Sequence, residues 1–419
     1  MNFRHNIKCN VCNEFLIVKA QGGFVENAHV RLGCPHCRNL IKGEINQKAP
    51  AFSMKFENAE LVNEIPTDDV EVISISTELP VLKALTNMRN VGGITLSPFS
   101  AVSQIIPLEQ VALFRDRYLD FKAFRDKNLS KLETIVELFS NKQWSFVFSE
   151  IKKNFLPELT DDSPKTMEFC SHILSEVLKQ FVNKTIPQNY EHSYPIRLLH
   201  KTTLTKVQHN EVNLSQIHKD VSQLVDIEKE YSNGLRLVIS FIKNVESYLP
   251  AIALSYGKGF EASFGNDIAI TTFSFDELRD KYKDAFELLA RTSLIYVGFS
   301  NFNRKGASND FSDIGVCNNL TSYYSTNNGN KKNVLDKIPK LKSYYRSLMD
   351  SQIRNSIGHN KTEYLTVEQL IKYYPYTDIQ KKDRAKEISL IDFAYKTFLL
   401  NLLVMDFISF IGKWNYRLK

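Results

Sequence analysis

The chain has 419 residues, of which 43% are apolar and 24% charged. That length exceeds what one hydrophobic core supports, so two or three domains are expected, and the composition excludes a disordered or low-complexity protein. The formal charge of +6 is unevenly spread: residues 1–50 are net +4, residues 51–265 net −4 and residues 266–419 net +6. Positive ends around a slightly acidic centre are compatible with nucleic-acid contact. No apolar run follows Met1, so no signal peptide is expected. The most apolar stretch, Phe398 to Ile411, is interrupted by Asn401, Asp406 and Ser409 and is too short to span a bilayer, so it reads as a buried helix.

Residues 1–50 read as a small β unit. Phe15 to Val18 and Leu40 to Ile45 are strand-like, each following a cysteine pair, with Gly22-Gly23 as a turn between them. The pairs are Cys9-x2-Cys12 and Cys34-x2-Cys37, separated by 21 residues. Two such knuckles carry four thiolates, the donor set of a closed tetrahedral structural zinc site, so a zinc ribbon is expected. His36 lies within the second knuckle and could replace a cysteine, although four cysteines are the simpler set. A unit of this size needs such a staple to fold. Arg31, Arg38 and Lys42 beside the second knuckle suit recognition of a nucleic acid or a protein partner. Cys170 and Cys317 stand alone, a usage that points to a reducing, cytoplasmic compartment rather than a disulfide framework.

Residues 51–265 form a second region, mixed but mostly helical, without a legible motif and suited to a sensor role. Val70 to Thr77 is a plausible strand. Ser130-Lys131-Leu132-Glu133 reads as a capping box opening a helix, Ser163-Pro164 as the start of another, and Leu235 to Tyr248 as a third. Tyr194 to Thr205 could hold a short strand. Pro250, Gly257, Gly259 and Gly265 then break the pattern, and Gly257-Lys258-Gly259 lacks the rest of a phosphate-loop signature.

The last region, 266–419, opens with a capping box, Ser274-Phe275-Asp276-Glu277, ahead of a helical stripe from Leu278 to Tyr296 that ends at Gly298. An Asn/Ser/Gly-rich loop follows from about Asn301 to Asn333. A second helix carries Leu341, Tyr345, Met349, Ile353 and Ile357 at i, i+4 spacing, and a final helix runs from Ile388 to about Trp414. The expected architecture is therefore mainly α, with minor β in the centre and a β ribbon at the N-terminus.

The second helix ends in Arg354-Asn355-Ser356-Ile357-Gly358-His359. Arg supplies a permanent charge and a planar fork matching phosphate. His can take and give a proton near neutrality, and Asn355 can hydrogen-bond a phosphate oxygen. Five residues on a continuous helix separate two side chains by about 140°. The pair can therefore converge only if the helix stops at Gly358, the residue type preferred for a left-handed helix end. The plain alternative is an Asp350–Arg354 ion pair at i, i+4 with His359 as a C-terminal helix cation. Lys331, Lys332, Lys337, Lys340, Lys342 and Arg346 form a basic cluster before the motif, suited to a phosphate backbone or simply to a solvated helix face.

The string Ile353 to Asn360 resembles the R-x(4–6)-H signature of the HEPN superfamily, including the polar residue after the arginine. The resemblance covers about residues 266–419. It implies an all-helical bundle and a metal-independent endoribonuclease with Arg354, Asn355 and His359 as catalytic residues, serving as a toxin or in anti-phage defence. It also implies a homodimer acting on RNA, tRNA among the candidates, under a phage-derived or protein trigger. The zinc would be purely structural. The alternative is a non-catalytic module in which the ribbon binds nucleic acid or protein and the bundle serves as a dimerisation surface.

Overall fold

The computed structural model describes residues 2–47, 52–64, 70–83, 103, 106–185, 214–257, 268–338, 348–375 and 384–416. The chain is mainly α: 54% of the described residues are helical, in eleven helices, with small sheets near the N-terminus. It forms two compact units, each assembled from three segments. The first comprises Met1–Leu119, Asn244–Lys281 and Asn355–Phe398, and the second Asp120–Lys243, Tyr282–Arg354 and Leu399–Lys419.

In the first unit, β1 (Asn2–Cys9), β2 (Phe15–Gln21), β6 (Ala59–Val62) and β7 (Glu71–Ser76) form a sheet in the order β6-β1-β2-β7. The pairs β1–β2 and β1–β6 are antiparallel, while β2–β7 is parallel. A second sheet holds β3 (Asn27–Gly33), β4 (Leu40–Asn46) and β5 (Ser53–Phe56) in antiparallel order. Alternation decides what faces inward: in β4, Ile41, Gly43 and Ile45 are buried and their neighbours Lys42 and Glu44 exposed. The inward residues, Ile7, Leu16, Val18, Val30, Ile41 and Ile75 among them, pack with Cys9 and Cys34 into one core. The strands expected within residues 1–50 are thus present, and β5 to β7 join them from beyond residue 50.

The first unit also contains a sheet that the expected all-helical C-terminal bundle does not include. Strands β8 (Val81–Leu82) and β9 (Ile268–Ala269) pair antiparallel, and β10 (Thr362–Leu365), β11 (Leu370–Tyr373) and β12 (Lys386–Ser389) form an antiparallel sheet in that order. The β-rich residues Tyr364-Leu365 and Ile371-Lys372-Tyr373 alternate across a turn, which favours a hairpin over an extended loop.

The second unit is helical, with segments of α1 (Leu108–Ser140), α7 (Phe275–Lys305) and α11 (Leu390–Tyr416), together with α2 (Trp144–Asn154), α3 (Met167–Thr185), α4 (Leu214–Ser222), α5 (Ile227–Lys243), α8 (Leu320–Ser325) and α9 (Asn328–Leu335). Its centre is α11, where Leu400, Leu403, Phe407, Ile411 and Trp414 are buried. Tyr296 of α7 lies against Phe407 and Phe410 with ring centroids 5.2 and 5.6 Å apart. Two glycines permit close approach: a Cβ on Gly234 of α5 would lie 2.0 Å from Ile408, and one on Gly412 would lie 2.4 Å from the Ser171 carbonyl oxygen. Leu390–Trp414 is long and apolar enough to cross a membrane, and 83% of its most apolar window is buried in protein, as in a core helix.

Several expected helix limits shift. Ser130 to Glu133 does not open a helix but sits inside the 33-residue α1, where Thr134 bonds the Ser130 carbonyl. Leu235 to Tyr248 divides into α5 and α6 (Val245–Leu254) around Asn244, and Pro250 lies inside α6. The capping box Ser274–Glu277 forms as expected: the Ser274 N–H donates to Glu277 (2.8 Å) and the Glu277 N–H to Ser274 Oγ (3.3 Å). The helix behind it continues past Gly298 to Lys305. The Asn-rich passage holds two short helices, α8 and α9, whose N-termini are capped by the side chains of Asn319 and Asn327. Tyr194 to Thr205, Gly259 and Gly265 lie outside the described residues.

Candidate metal centre and Arg-His motif

Both cysteine pairs sit in tight turns of the same design. Cys9 begins its turn at the end of β1, and the Asn13 N–H returns to the Cys9 carbonyl (2.9 Å). Cys34 follows β3, and the Arg38 N–H returns to the Cys34 carbonyl (2.8 Å). Asn13 and Arg38 occupy equivalent positions and share a left-handed backbone, φ 63° and 61°. The N–H groups of Val11 and Cys12 point at the Cys9 sulfur, and those of His36 and Cys37 at the Cys34 sulfur.

The four sulfurs converge. Cys9 Sγ lies 3.8 Å from Cys37 Sγ, Cys12 Sγ lies 3.7 Å from Cys34 Sγ, and all four are within 4.8 Å of one another. A tetrahedron with metal–sulfur bonds of about 2.3 Å has edges of about 3.8 Å, so the cluster fits a metal ion held by four thiolates. His36 is exposed and does not belong to it. Burial pushes the Cys34 thiol up to about 12 and also raises Cys12. Burial raises Cys9 too, but the N–H donors of Cys12 and Val11 outweigh it and hold that thiol below its ordinary value.

Two of the basic side chains beside this centre are engaged within the chain. Arg31 pairs with Glu277, the capping-box residue, at 2.9 Å. Arg38 pairs with Glu368 at 2.9 Å. Only Lys42 of the three has an exposed position without such a pair among the described residues.

The motif lies on α10 (Ser351–Gly358) and the two residues after it. Asp350 caps the helix: its carboxylate accepts from the N–H of Gln352 (2.8 Å) and of Ile353 (3.3 Å). Asp350 therefore organises the N-terminus of α10, and the i, i+4 pair with Arg354 gives way to a different one. The Arg354 guanidinium closes on Glu287 of α7. One turn further along α7, Arg291 pairs with Glu230 of α5 at 2.8 Å. Lys331 is buried between these groups, its ammonium over the rings of Tyr323 and Tyr324 at 6.0 and 5.6 Å, and burial lowers its pKa. Glu287 and Arg291, four apart on one helix face, could have been read from their spacing; their partners, distant in sequence, could not. Of the basic cluster, Lys331 is buried and Lys337 donates to the Ile314 carbonyl, while Lys340, Lys342 and Arg346 lie outside the described residues.

The helix ends at Gly358 as expected, but the left-handed residue is not that glycine. The His359 N–H still donates to the Asn355 carbonyl (3.0 Å). The chain then turns at Asn360, whose φ is 52°, with the Asn360 N–H on Ile357 (3.2 Å) and the Lys361 N–H on Ser356 (2.7 Å). This is a Schellman ending with Asn360, not glycine, in the left-handed position. His359 is thus the last residue of the helical path and is exposed, while Asn355 is half-buried one turn earlier. Helical continuity keeps Arg354 and His359 about 140° apart around the axis. A cavity of about 730 Å³ is lined by Met167, Glu168, His218, Asp226 and Glu228 but by no motif residue. No family model matches the chain, and no curated protein or solved structure matches it significantly.

Proposed function

We propose that this chain is a metal-independent endoribonuclease of the HEPN type, carrying a structural zinc ion in its N-terminal cysteine cluster. The observation that carries the reading is the Arg-x4-His spacing on a short helix whose His359 is exposed at a well-capped end, with the apolar core helix α11 following. His359 is the proton-transfer group, Arg354 the phosphate ligand and Asn355 an auxiliary donor to a phosphate oxygen.

RNA supplies its own nucleophile. The 2′-hydroxyl loses its proton to an imidazole, its oxygen bonds to phosphorus, and the bond to the 5′-oxygen breaks as that oxygen is protonated. The products are a 2′,3′-cyclic phosphate and a 5′-hydroxyl. Because Arg354 and His359 point to different sides of one helix, the composite site draws on two copies of the chain, consistent with a homodimer. The proposed setting is the cytoplasm, with RNA, tRNA included, as substrate and a phage-derived or protein trigger in a defence or growth-arrest role.

The test is cleavage of total RNA by the zinc-loaded chain in buffer without free divalent cations. The wild type should cut, His359→Ala should lower the rate about 10²- to 10⁴-fold, and Arg354→Ala about 10²- to 10³-fold. Equal cutting by wild type and variants sinks the reading. A second reading, a nucleic-acid- or protein-binding module with the bundle as dimer surface, is favoured by the closure of Arg354 on Glu287. It predicts RNA retention without cleavage.

A further inference from the structure

The second cysteine knuckle touches more than its metal. Gly33, the residue before Cys34, packs directly on the turn of the β10–β11 hairpin: a Cβ there would lie 2.9 Å from the Thr366 carbonyl carbon and 3.0 Å from the Val367 nitrogen. Thr366 Oγ1 donates to the carbonyl of Arg38, the left-handed residue that closes the knuckle, at 2.5 Å. The Arg38 guanidinium meets Glu368 at 2.9 Å. The turn is held from its other side by Gln369, which takes the Ile270 N–H (2.9 Å) and donates to the Ile270 carbonyl (2.6 Å). The adjacent Thr271 carbonyl accepts from the Arg31 N–H of β3 (2.7 Å).

The other end of this hairpin leads to His359. Thr362 pairs with Tyr373, and the Tyr374 N–H donates to the Lys361 carbonyl (3.1 Å). Lys361 is in turn the residue whose N–H closes the α10 terminus on Ser356 (2.7 Å). Only Asn360 separates it from His359. A short, continuous set of hydrogen bonds thus joins the metal knuckle to the histidine: knuckle to turn, turn to hairpin, hairpin to helix end. A tight hairpin transmits position well because its register is fixed by both strands.

We infer that the metal-bound knuckle is a positioning element for His359, acting through Thr366, Arg38 and Glu368. Neither end would then be independent. Ordering of the knuckle by its metal orders the hairpin and the helix end, and by thermodynamic reciprocity a loosened hairpin weakens retention of the metal. The effect on catalysis rests on the nuclease reading; the coupling itself does not.

The experiment uses the full chain loaded with zinc. Thr366→Val removes the hydroxyl while keeping side-chain volume, and Thr366→Ser restores it. Zinc release into a chromogenic chelator should be about fivefold faster for Thr366→Val, the factor carried by one lost side-chain hydrogen bond, and unchanged for Thr366→Ser. Hydrogen exchange over residues 360–373 should rise by a similar factor in Thr366→Val, while exchange in α5 stays at the wild-type rate. In RNA cleavage, kcat should fall in Thr366→Val with KM unchanged. Wild-type zinc release together with wild-type exchange in residues 360–373 would overturn the coupling. Altered release and exchange with no RNA cleavage by any form would leave the coupling standing and remove the nuclease reading.

Discussion

At the scale of single residues, the four cysteines carry the firmest chemistry. Their sulfurs are spaced for one metal ion, yet burial, together with the neighbouring Cys37 and Cys12 thiols, pushes Cys34 up to about 12. Without metal that thiol holds its proton at neutral pH, so binding must displace it. The sign follows: affinity falls as pH falls anywhere below that value, because protons compete for the same sulfur. Metal retention measured from pH 8 to pH 5 should decline steadily, with protons released on loading. Cys34→Ser should abolish stoichiometric metal and loosen the core that Cys34 shares with Val30 and Ile41. Arg354 and His359 are a different case. Their residue types and spacing were legible, but the partner of Arg354 was not: Asp350, the nearest acid in sequence, caps α10, and Glu287, 67 positions away, takes the guanidinium.

At the scale of elements, structure that rests on a local signal is legible in the sequence, and structure that rests on distant pairing is not. The Ser274–Glu277 capping box, the strands after each knuckle and the apolar α11 all follow from short patterns. The asparagines between 301 and 333 resembled loop residues because Asn competes for backbone hydrogen bonds, but here that ability caps two short helices. The end of α10 is the most consequential shift. Glycine marked the expected left-handed position, and Asn360 occupies it instead, two residues later. Asn360→Ala should destabilise the helix end by about 1 kcal/mol, since Ala lacks the short polar side chain whose local hydrogen bonding lets Asn adopt a left-handed backbone that otherwise costs roughly 1–2 kcal/mol, whereas Asn360→Gly should be tolerated. Thermal unfolding of the two variants checks this, and equal stability would contradict the assigned ending.

At the scale of the whole molecule, both units are built from segments far apart in the chain, and three long helices, α1, α7 and α11, contribute residues to each. Local periodicity cannot reveal such an arrangement. The parallel pairing of β7 with β2, and of the β10–β11 turn with the second knuckle, are its clearest instances. The composite site proposed for RNA cleavage also belongs to this scale. If one copy supplies arginine and the other histidine, mixing Arg354→Ala with His359→Ala protein should restore cleavage that neither shows alone. Mixtures as inert as their components would require both groups to act from one chain, against the rotation of α10.

The proposed chemistry is cleavage of RNA by Arg354 and His359 without a catalytic metal. The most direct measurement is end analysis of a defined RNA incubated with the zinc-loaded full chain in buffer without free divalent cations, beside His359→Ala. The wild type should leave 2′,3′-cyclic phosphate and 5′-hydroxyl ends, and the variant should leave the RNA intact. Ends of the opposite polarity, 3′-hydroxyl with 5′-phosphate, or equal cleavage by His359→Ala, would contradict it.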